Sequence, residues 1–307
     1  MYKRLLVPLD GSELAEVVLS YAKELAGRLD LEVVLLHVYG PDERELLPMR
    51  QAYVERAAEI CDLQCQEVRQ TTGGHPETGG WHAKGILAAG RPAEEILSYA
   101  EDHDIDLILM ATHGRSGISR WALGSVADKV LRASRVPVWL IRADIQSQAV
   151  HDKWSGMRML VPLDGSLLSE SVLPHVQTLA KQRGPRQLEI VLLRVAEPPV
   201  VPADYPASLP VSWEEHVEQE VGKSRQACLK YLDGLQQRLK EANLTARAEV
   251  LVGDPAEAIA EYAGKHPLDL IVMSTHGRSG PSRWVYGSVT EKVLQAVNSP
   301  VFLVRPR

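Results

Sequence analysis

Cysteine is scarce in this chain: 307 residues carry three, Cys61, Cys65 and Cys228. That number excludes a disulfide framework and points to a reducing compartment. Long apolar runs are missing too, since no stretch approaches the ~20 residues that a helical membrane span needs. The opening segment MYKRLLVPLDGS turns into a strand pattern within four residues and lacks the apolar segment of a secretory leader. The expected location is therefore cytoplasmic. Positive charge is not in excess either: a net charge of −6 argues against general nucleic-acid binding, which depends on a basic face. With 45% hydrophobic and 24% charged residues the composition is that of a folded globular protein and not of a disordered one.

What the chain does contain, it contains twice. MATHGRSGISRWALGSVADKVLRASRVPVWLIR, from Met110 to Arg142, returns as MSTHGRSGPSRWVYGSVTEKVLQAVNSPVFLVR from Met273 to Arg305, with 21 of the 33 positions identical. Earlier segments repeat in the same order: LLVPLDGS at Leu5 returns as MLVPLDGS at Met159, and Gly90-Arg-Pro-Ala-Glu as Gly253-Asp-Pro-Ala-Glu. The duplication thus covers whole domains, expected at 1–143 and 157–307 with a polar linker at 144–156. The offset grows from 154 at Gly11/Gly165 to 163 at Gly114/Gly277, and the extra residues are expected in the proline-rich EPPVVPADYPASLP of the second copy. Proline removes a donor and fixes φ, which favours an extended surface loop there.

Each copy alternates short β-branched apolar runs with helical patterns. Strands are expected at Arg4–Leu9, Leu31–Val38, Trp81–Leu87, Leu107–Met110 and Pro137–Ile141, with counterparts at Met159–Leu163, Leu188–Val195, Ala246–Val252, Leu270–Met273 and Val301–Val304. Continuous apolar strands signal burial on both faces, and the alternation predicts an α/β fold of two tandem doubly wound, parallel five-stranded sheets. Leu14, Val18, Ala22 and Leu25 recur at helical spacing after Ser12, a suitable N-cap. A longer polar helix is expected at Met49–Arg69, where Cys61 and Cys65, four apart, share one face.

In such folds ligands sit beyond the carboxyl ends of the strands. There the repeated block passes a glycine-rich loop, Gly114-Arg115-Ser116-Gly117, and enters a helix at Gly124-Ser125-Val126. Ser125 with Asp128, and Ser288 with Glu291, have capping-box spacing. The spacing is equally consistent with plain caps and turns and with an anion site built from the helix N-terminus and closely approached glycines.

The chain resembles a tandem universal stress protein, and the likeness covers nearly its whole length. ATP-binding members of that family carry a Gly, two residues, a Gly, nine residues, then Gly-Ser or Gly-Thr. Gly114 with Gly124-Ser125, and Gly277 with Gly287-Ser288, match that pattern; the leading glycine is replaced by Ala111 and Ser274. The resemblance implies that Pro8, Leu9 and Asp10, with Pro162, Leu163 and Asp164, lie against adenine and ribose. It implies that the backbone of Val38 and Val195 meets the base, that Met110 and Met273 border ribose or base, and that Gly114, Gly124, Ser125 and Val126, with Gly277, Gly287, Ser288 and Val289, hold the phosphates. Arg115 and Arg278 follow the loop glycine and could fork onto phosphate oxygens or lie solvated. The implied ligand is ATP, with AMP or another adenine nucleotide as variants, accompanied by Mg²⁺ on the phosphates.

Asp10 and Asp164 suit either ribose hydroxyls or the cap of the following helix. His113 and His276 have no triad partners at suitable spacing and are assigned structural hydrogen bonds; Trp121 and Trp284 are assigned packing, and Gly90-x-Pro92 and Gly253-x-Pro255 structure alone. Family members pair through their last strands, which implies an intramolecular pseudo-dimer through Val136–Ile141 and Pro300–Val304, with a homodimer as a further step. No Walker lysine motif, general base or dedicated carboxylate pair for Mg²⁺ stands out, so hydrolysis, if any, would be slow. The leading reading is a nucleotide-responsive regulatory module of the stress response, and the alternative is an interaction platform of the same family without nucleotide.

Overall fold

The computed structural model describes residues 1–40, 45–71, 83–113, 123–143, 156–184, 188–199, 213–277 and 286–306. The first half runs β1 (Arg4–Leu9), α1 (Glu13–Glu16), α2 (Leu19–Leu29), β2 (Glu32–Tyr39), α3 (Leu47–Thr71), β3 (Ala83–Ala89), α4 (Pro92–Asp102), β4 (Leu107–Ala111), α5 (Ser125–Ala133) and β5 (Val138–Ile141). The second half repeats it as β6 (Met157–Pro162), α6 (Leu167–Glu170), α7 (Leu173–Arg183), β7 (Leu188–Ala196), α8 (Trp213–Glu241), β8 (Ala246–Val252), α9 (Pro255–Lys265), β9 (Leu270–Ser274), α10 (Ser288–Ala296) and β10 (Val301–Val304).

The two sets of five parallel strands join into one sheet of ten, ordered β3-β2-β1-β4-β5-β10-β9-β6-β7-β8. Every neighbouring pair is parallel except β5 and β10, which meet antiparallel with Phe302 opposite Trp139. The last strands therefore pair as the resemblance implied, and they do so within the chain.

Right-handed crossovers fix which face each helix covers. Progress from β1 outward to β3 puts α1, α2 and α3 on one face; the return to β4 and β5 puts α4 and α5 on the other. One core accordingly combines Leu25, Cys61 and Cys65 with Leu179 and Leu232 of the second half. The other combines Ile96 and Val130 with Ile259 and Val293. Cys61 and Cys65 are both buried, their sulfurs 3.9 Å apart, on the face of α3 turned to the core.

Two details depart from the expected layout. The helix after Ser12 is split into α1 and α2, with Val18 N–H reaching Ala15 O at 3.4 Å across the junction. In the second copy the split precedes Pro174, which lacks the N–H that a continuous helix would use. Second, the offset is already 157 where Leu36 and Leu193 occupy equivalent places beside Pro8 and Pro162. Three of the extra residues thus precede β7, and only six fall between β7 and β8. All of the expected linker but Gly156, residues 144–155, and most of the proline-rich insertion lie outside the described residues.

Candidate functional site

Strand order reverses between β1 and β4, and again between β6 and β9. Adjacent crossovers leave those strand ends on opposite faces, so a crevice opens beyond the carboxyl ends. Each half has a cavity there, about 380 Å³ in the first and about 530 Å³ in the second, both of a size that accommodates a small organic ligand.

One wall comes from the end of β1. Asp10 Oδ1 accepts from Ser12 N at 3.0 Å and from Ser12 Oγ at 2.6 Å, and Ser12 Oγ accepts from Ala15 N at 3.2 Å. Asp164, Ser166 and Ser169 repeat this with 2.9, 2.6 and 3.1 Å. Serine is therefore the helix cap, and the aspartate holds the capping serine from behind. Gly11 and Gly165 supply the turn between them at φ of 79° and 83°, where a side chain would be strained.

The opposite wall is the start of α5 or α10. Gly124 N–H donates to Thr112 O at 2.8 Å, and Gly287 N–H to Thr275 O at 2.8 Å, which pins each helix start against the end of its strand. The N-caps are Gly124 and Gly287, with no side-chain cap bond; Ser125 and Ser288 are the first helical residues, one place later than capping-box spacing suggested. Their hydroxyls are exposed, and the N–H groups of Ser125, Val126 and Ala127 have no carbonyl four residues back to bond. A Cβ added to Gly124 would stand 2.9 Å from Thr112 O, whereas one on Gly287 would meet nothing nearer than 3.6 Å. A Cβ on Gly277 would collide with Asp164 Oδ2, so this loop glycine lies directly against the aspartate of the facing wall.

The first cavity brings together Pro8, Leu9, Asp10, Val38, Met110, Ala111, Gly124, Ser125 and Val126. The second brings together Pro162, Leu163, Asp164, Val195, Met273, Ser274, Gly277, Gly287, Ser288 and Val289. Gly114, Arg115 and Arg278, with Trp121 and Trp284, lie outside the described residues.

Ala111 is 8% exposed and belongs to the core beneath α1 to α3, while Met110 belongs to the core beneath α4 and α5. The side chain at 111 thus projects from the sheet face opposite to Met110. Ser274, 6% exposed, has the equivalent register, and its Oγ donates to His276 O at 2.6 Å while accepting from His276 N at 3.2 Å.

Several lining residues were not foreseen. Pro92 with Ile96, and Pro255 with Ile259, close the cavities from α4 and α9, so the Gly-x-Pro segments border the site as well as starting helices. His113 and His276 also line the cavities, each with Nδ1 bonded to the preceding threonine, at 3.1 and 3.0 Å. Nε2 of His113 is buried without a hydrogen-bond partner among the described residues, a state a polar ligand would relieve. The halves differ in charge: Glu197 and Asp254 line the second cavity, where the equivalent residues of the first half are Gly40 and Arg91. Among the described residues no group of three or more His, Cys, Asp or Glu side chains is placed to hold a metal ion, and no helix is long and apolar enough to cross a membrane.

Comparison with known proteins agrees with this architecture. The family model for the universal stress protein family matches residues 1–142 and again 157–305. A universal stress protein of Mycolicibacterium smegmatis is 28% identical over 312 residues, covering 99% of this chain and 97% of that one. Universal stress protein MJ0577 of Methanocaldococcus jannaschii is 32% identical over 157 residues, covering 46% of this chain and 96% of its own. Among solved structures, a universal stress protein from Archaeoglobus fulgidus aligns with a TM-score of 0.67 at 20% identity, covering 98% of both chains. With two matches in tandem over a shared ten-stranded sheet, the chain belongs to the universal stress protein family.

Proposed function

We propose that the protein is a nucleotide-responsive regulatory module in which each half binds an adenine nucleotide, ATP foremost, at its switch-point cavity. The observation that carries this reading is convergence. Residues from the ends of β1, β2 and β4 and from the start of α5 meet around one crevice, with the bare N-terminus of a helix on one wall and an aspartate on the other. Phosphates would be held by the N–H groups at Ser125 and Val126 and at Ser288 and Val289, where the helix dipole favours an anion. Asp10 and Asp164 would accept from ribose hydroxyls, and Val38 and Val195 would border the base with Leu36 and Leu193. Arg115 and Arg278 would reach the phosphates from the loop. The buried Nε2 of His113 suits a polar ligand. Mg²⁺ would be carried by the phosphates and not by a protein cage.

Replacement of the family glycine by Ala111 does not oppose this reading in the first half, because the side chain there leaves the sheet on the face away from Met110. The Nδ1 atoms of both histidines bond threonine hydroxyls, and any hydrolysis would be slow and would reset a switch. Three free, buried thiols suit a reducing compartment, and we place the protein in the cytoplasm.

Titration calorimetry of the full chain with ATP and AMP, Mg²⁺ present, tests the proposal. Heat of binding with an ATP-dependent rise in melting temperature is expected; neither signal would end it. One observation favours the platform reading for the second half alone: the Ser274 hydroxyl bonds both backbone groups of His276 and closes that loop on itself. If that closure blocks the site, Ser274→Gly should create binding there.

A further inference from the structure

The two cavities are not mechanically separate. Tyr286 immediately precedes Gly287, the N-cap of α10, which lines the second cavity, and Tyr286 is 9% exposed. Its hydroxyl donates to the Oδ1 of Asp128 and lies 3.2 Å from the Asp128 carbonyl. Asp128 sits in the first turn of α5, whose start forms the first cavity. Arg132, one turn along, bonds Asp128 Oδ2 through Nε at 2.7 Å and lies 5.3 Å from the centre of the Tyr286 ring. Burial and the neighbouring carboxylate push the Tyr286 phenol above its ordinary range, so it stays a neutral donor.

This link breaks the symmetry of the duplication. Another pair of contacts across the seam is reciprocal: Arg142 donates to Val297 O at 3.3 Å and Arg305, its counterpart, to Arg132 O at 3.0 Å, each reaching the end of the other half's helix. The counterpart of Tyr286 is Leu123, which has no hydroxyl to offer, and that of Asp128 is Glu291. One lip is fastened across the seam and the other is not.

We propose that Tyr286 is a positioning residue that makes the two cavities cooperative, so that a ligand settling on the start of α5 fixes Asp128 and, through it, the backbone at Gly287. The inference rests on the nucleotide reading given above. When two sites share one ordering step, the first ligand bears its entropic cost and the second binds more tightly; linkage makes the effect mutual. The expected enhancement is about 5-fold or more, the lower end of ordinary coupling between sites.

The test is ATP titration of the full chain as wild type, Tyr286→Phe, Asp128→Ala and Asp128→Asn, with melting temperatures to verify folding. Wild type should bind its second ATP about 5-fold or more tightly than independent sites allow. Tyr286→Phe and Asp128→Ala should bind two ATP independently, and Asp128→Asn should keep cooperativity, because an amide oxygen accepts the same bond. Independent sites in wild type, or cooperativity that survives in Tyr286→Phe, overturns the proposal while leaving nucleotide binding intact. Hydrogen exchange without nucleotide reads the link alone: Tyr286→Phe should speed exchange in the first turn of α5, and unchanged exchange overturns it. Absence of ATP heat in every variant removes the nucleotide reading and the cooperativity together.

Discussion

Trp139 and Phe302 face each other across the β5–β10 seam, ring centres 5.6 Å apart and planes inclined at 81°, both at 0% exposure. This edge-to-face pair carries apolar packing from one half into the other. Tyr2 of the first half adds an edge contact to Phe302 at 6.3 Å, and its hydroxyl meets His175 Nδ1 of the second half at 2.6 Å.

Phe302→Ala should therefore cost about 3–5 kcal/mol, the range for deleting a buried aromatic. Urea unfolding followed by tryptophan fluorescence would measure it. Because the core is shared, the loss should appear in a single transition; a second half that melts alone, with the first unaffected, would contradict the packing described.

The glycines at the two helix starts should respond differently to alanine. In Gly124→Ala the new methyl meets a backbone carbonyl at 2.9 Å that cannot swing aside, so about 1–3 kcal/mol of destabilisation is expected. In Gly287→Ala the nearest atom is 3.6 Å away and the change should stay within about 0.5 kcal/mol. Equal losses for the two would show that the cradles have the same tightness, against the geometry.

Ala111→Gly should leave ATP affinity within about twofold of wild type, equivalent to roughly 0.5 kcal/mol, because the methyl at 111 projects into the core beneath α1 to α3 although the residue borders the cavity. Stability should fall by about 0.5–1 kcal/mol, since glycine weakens a strand. A large gain in affinity would mean that the side chain at 111 obstructs the nucleotide after all.

Alkaline pH should weaken the fold through its tyrosines. Burial raises the Tyr21 phenol to about 12, with Asp269 adding to the effect. A raised phenol favours the folded state in full below pH 10, and that contribution is lost as pH climbs from 10 through 12. Urea midpoints should drop over that interval, and Tyr21→Phe should remove up to about 1.4 kcal/mol per pH unit from the slope. An unaltered slope in Tyr21→Phe would place that hydroxyl in solvent.

Most of the fold was legible because local signals and tertiary demands agree here. β1, β8 and β10 begin and end at the residues where their apolar runs do, and the others differ by one or two. The division of the first helix at Val17 and Val18 was hidden, because both residues keep right-handed helical angles and only the bonding pattern changes. The cavity walls from β1, β4 and α5 could be read from the duplicated motif. Pro92 and Ile96 could not, because the return crossover that lays α4 over the crevice is a property of topology and not of their own sequence. The bond from Tyr286 to Asp128 spans 158 residues, and the repeat conceals it by placing leucine at the equivalent position.

The seam has one more consequence. VWLI of β5 and VFLV of β10 are fully apolar segments that stand at the border of each half's five strands. On a separated half either would be an open, sticky edge inviting aggregation, and a one-domain protein could shield it only by finding a second molecule. Here the shield is covalently attached, so its local concentration does not fall on dilution, and neither edge need face solvent when the protein is scarce in the cell.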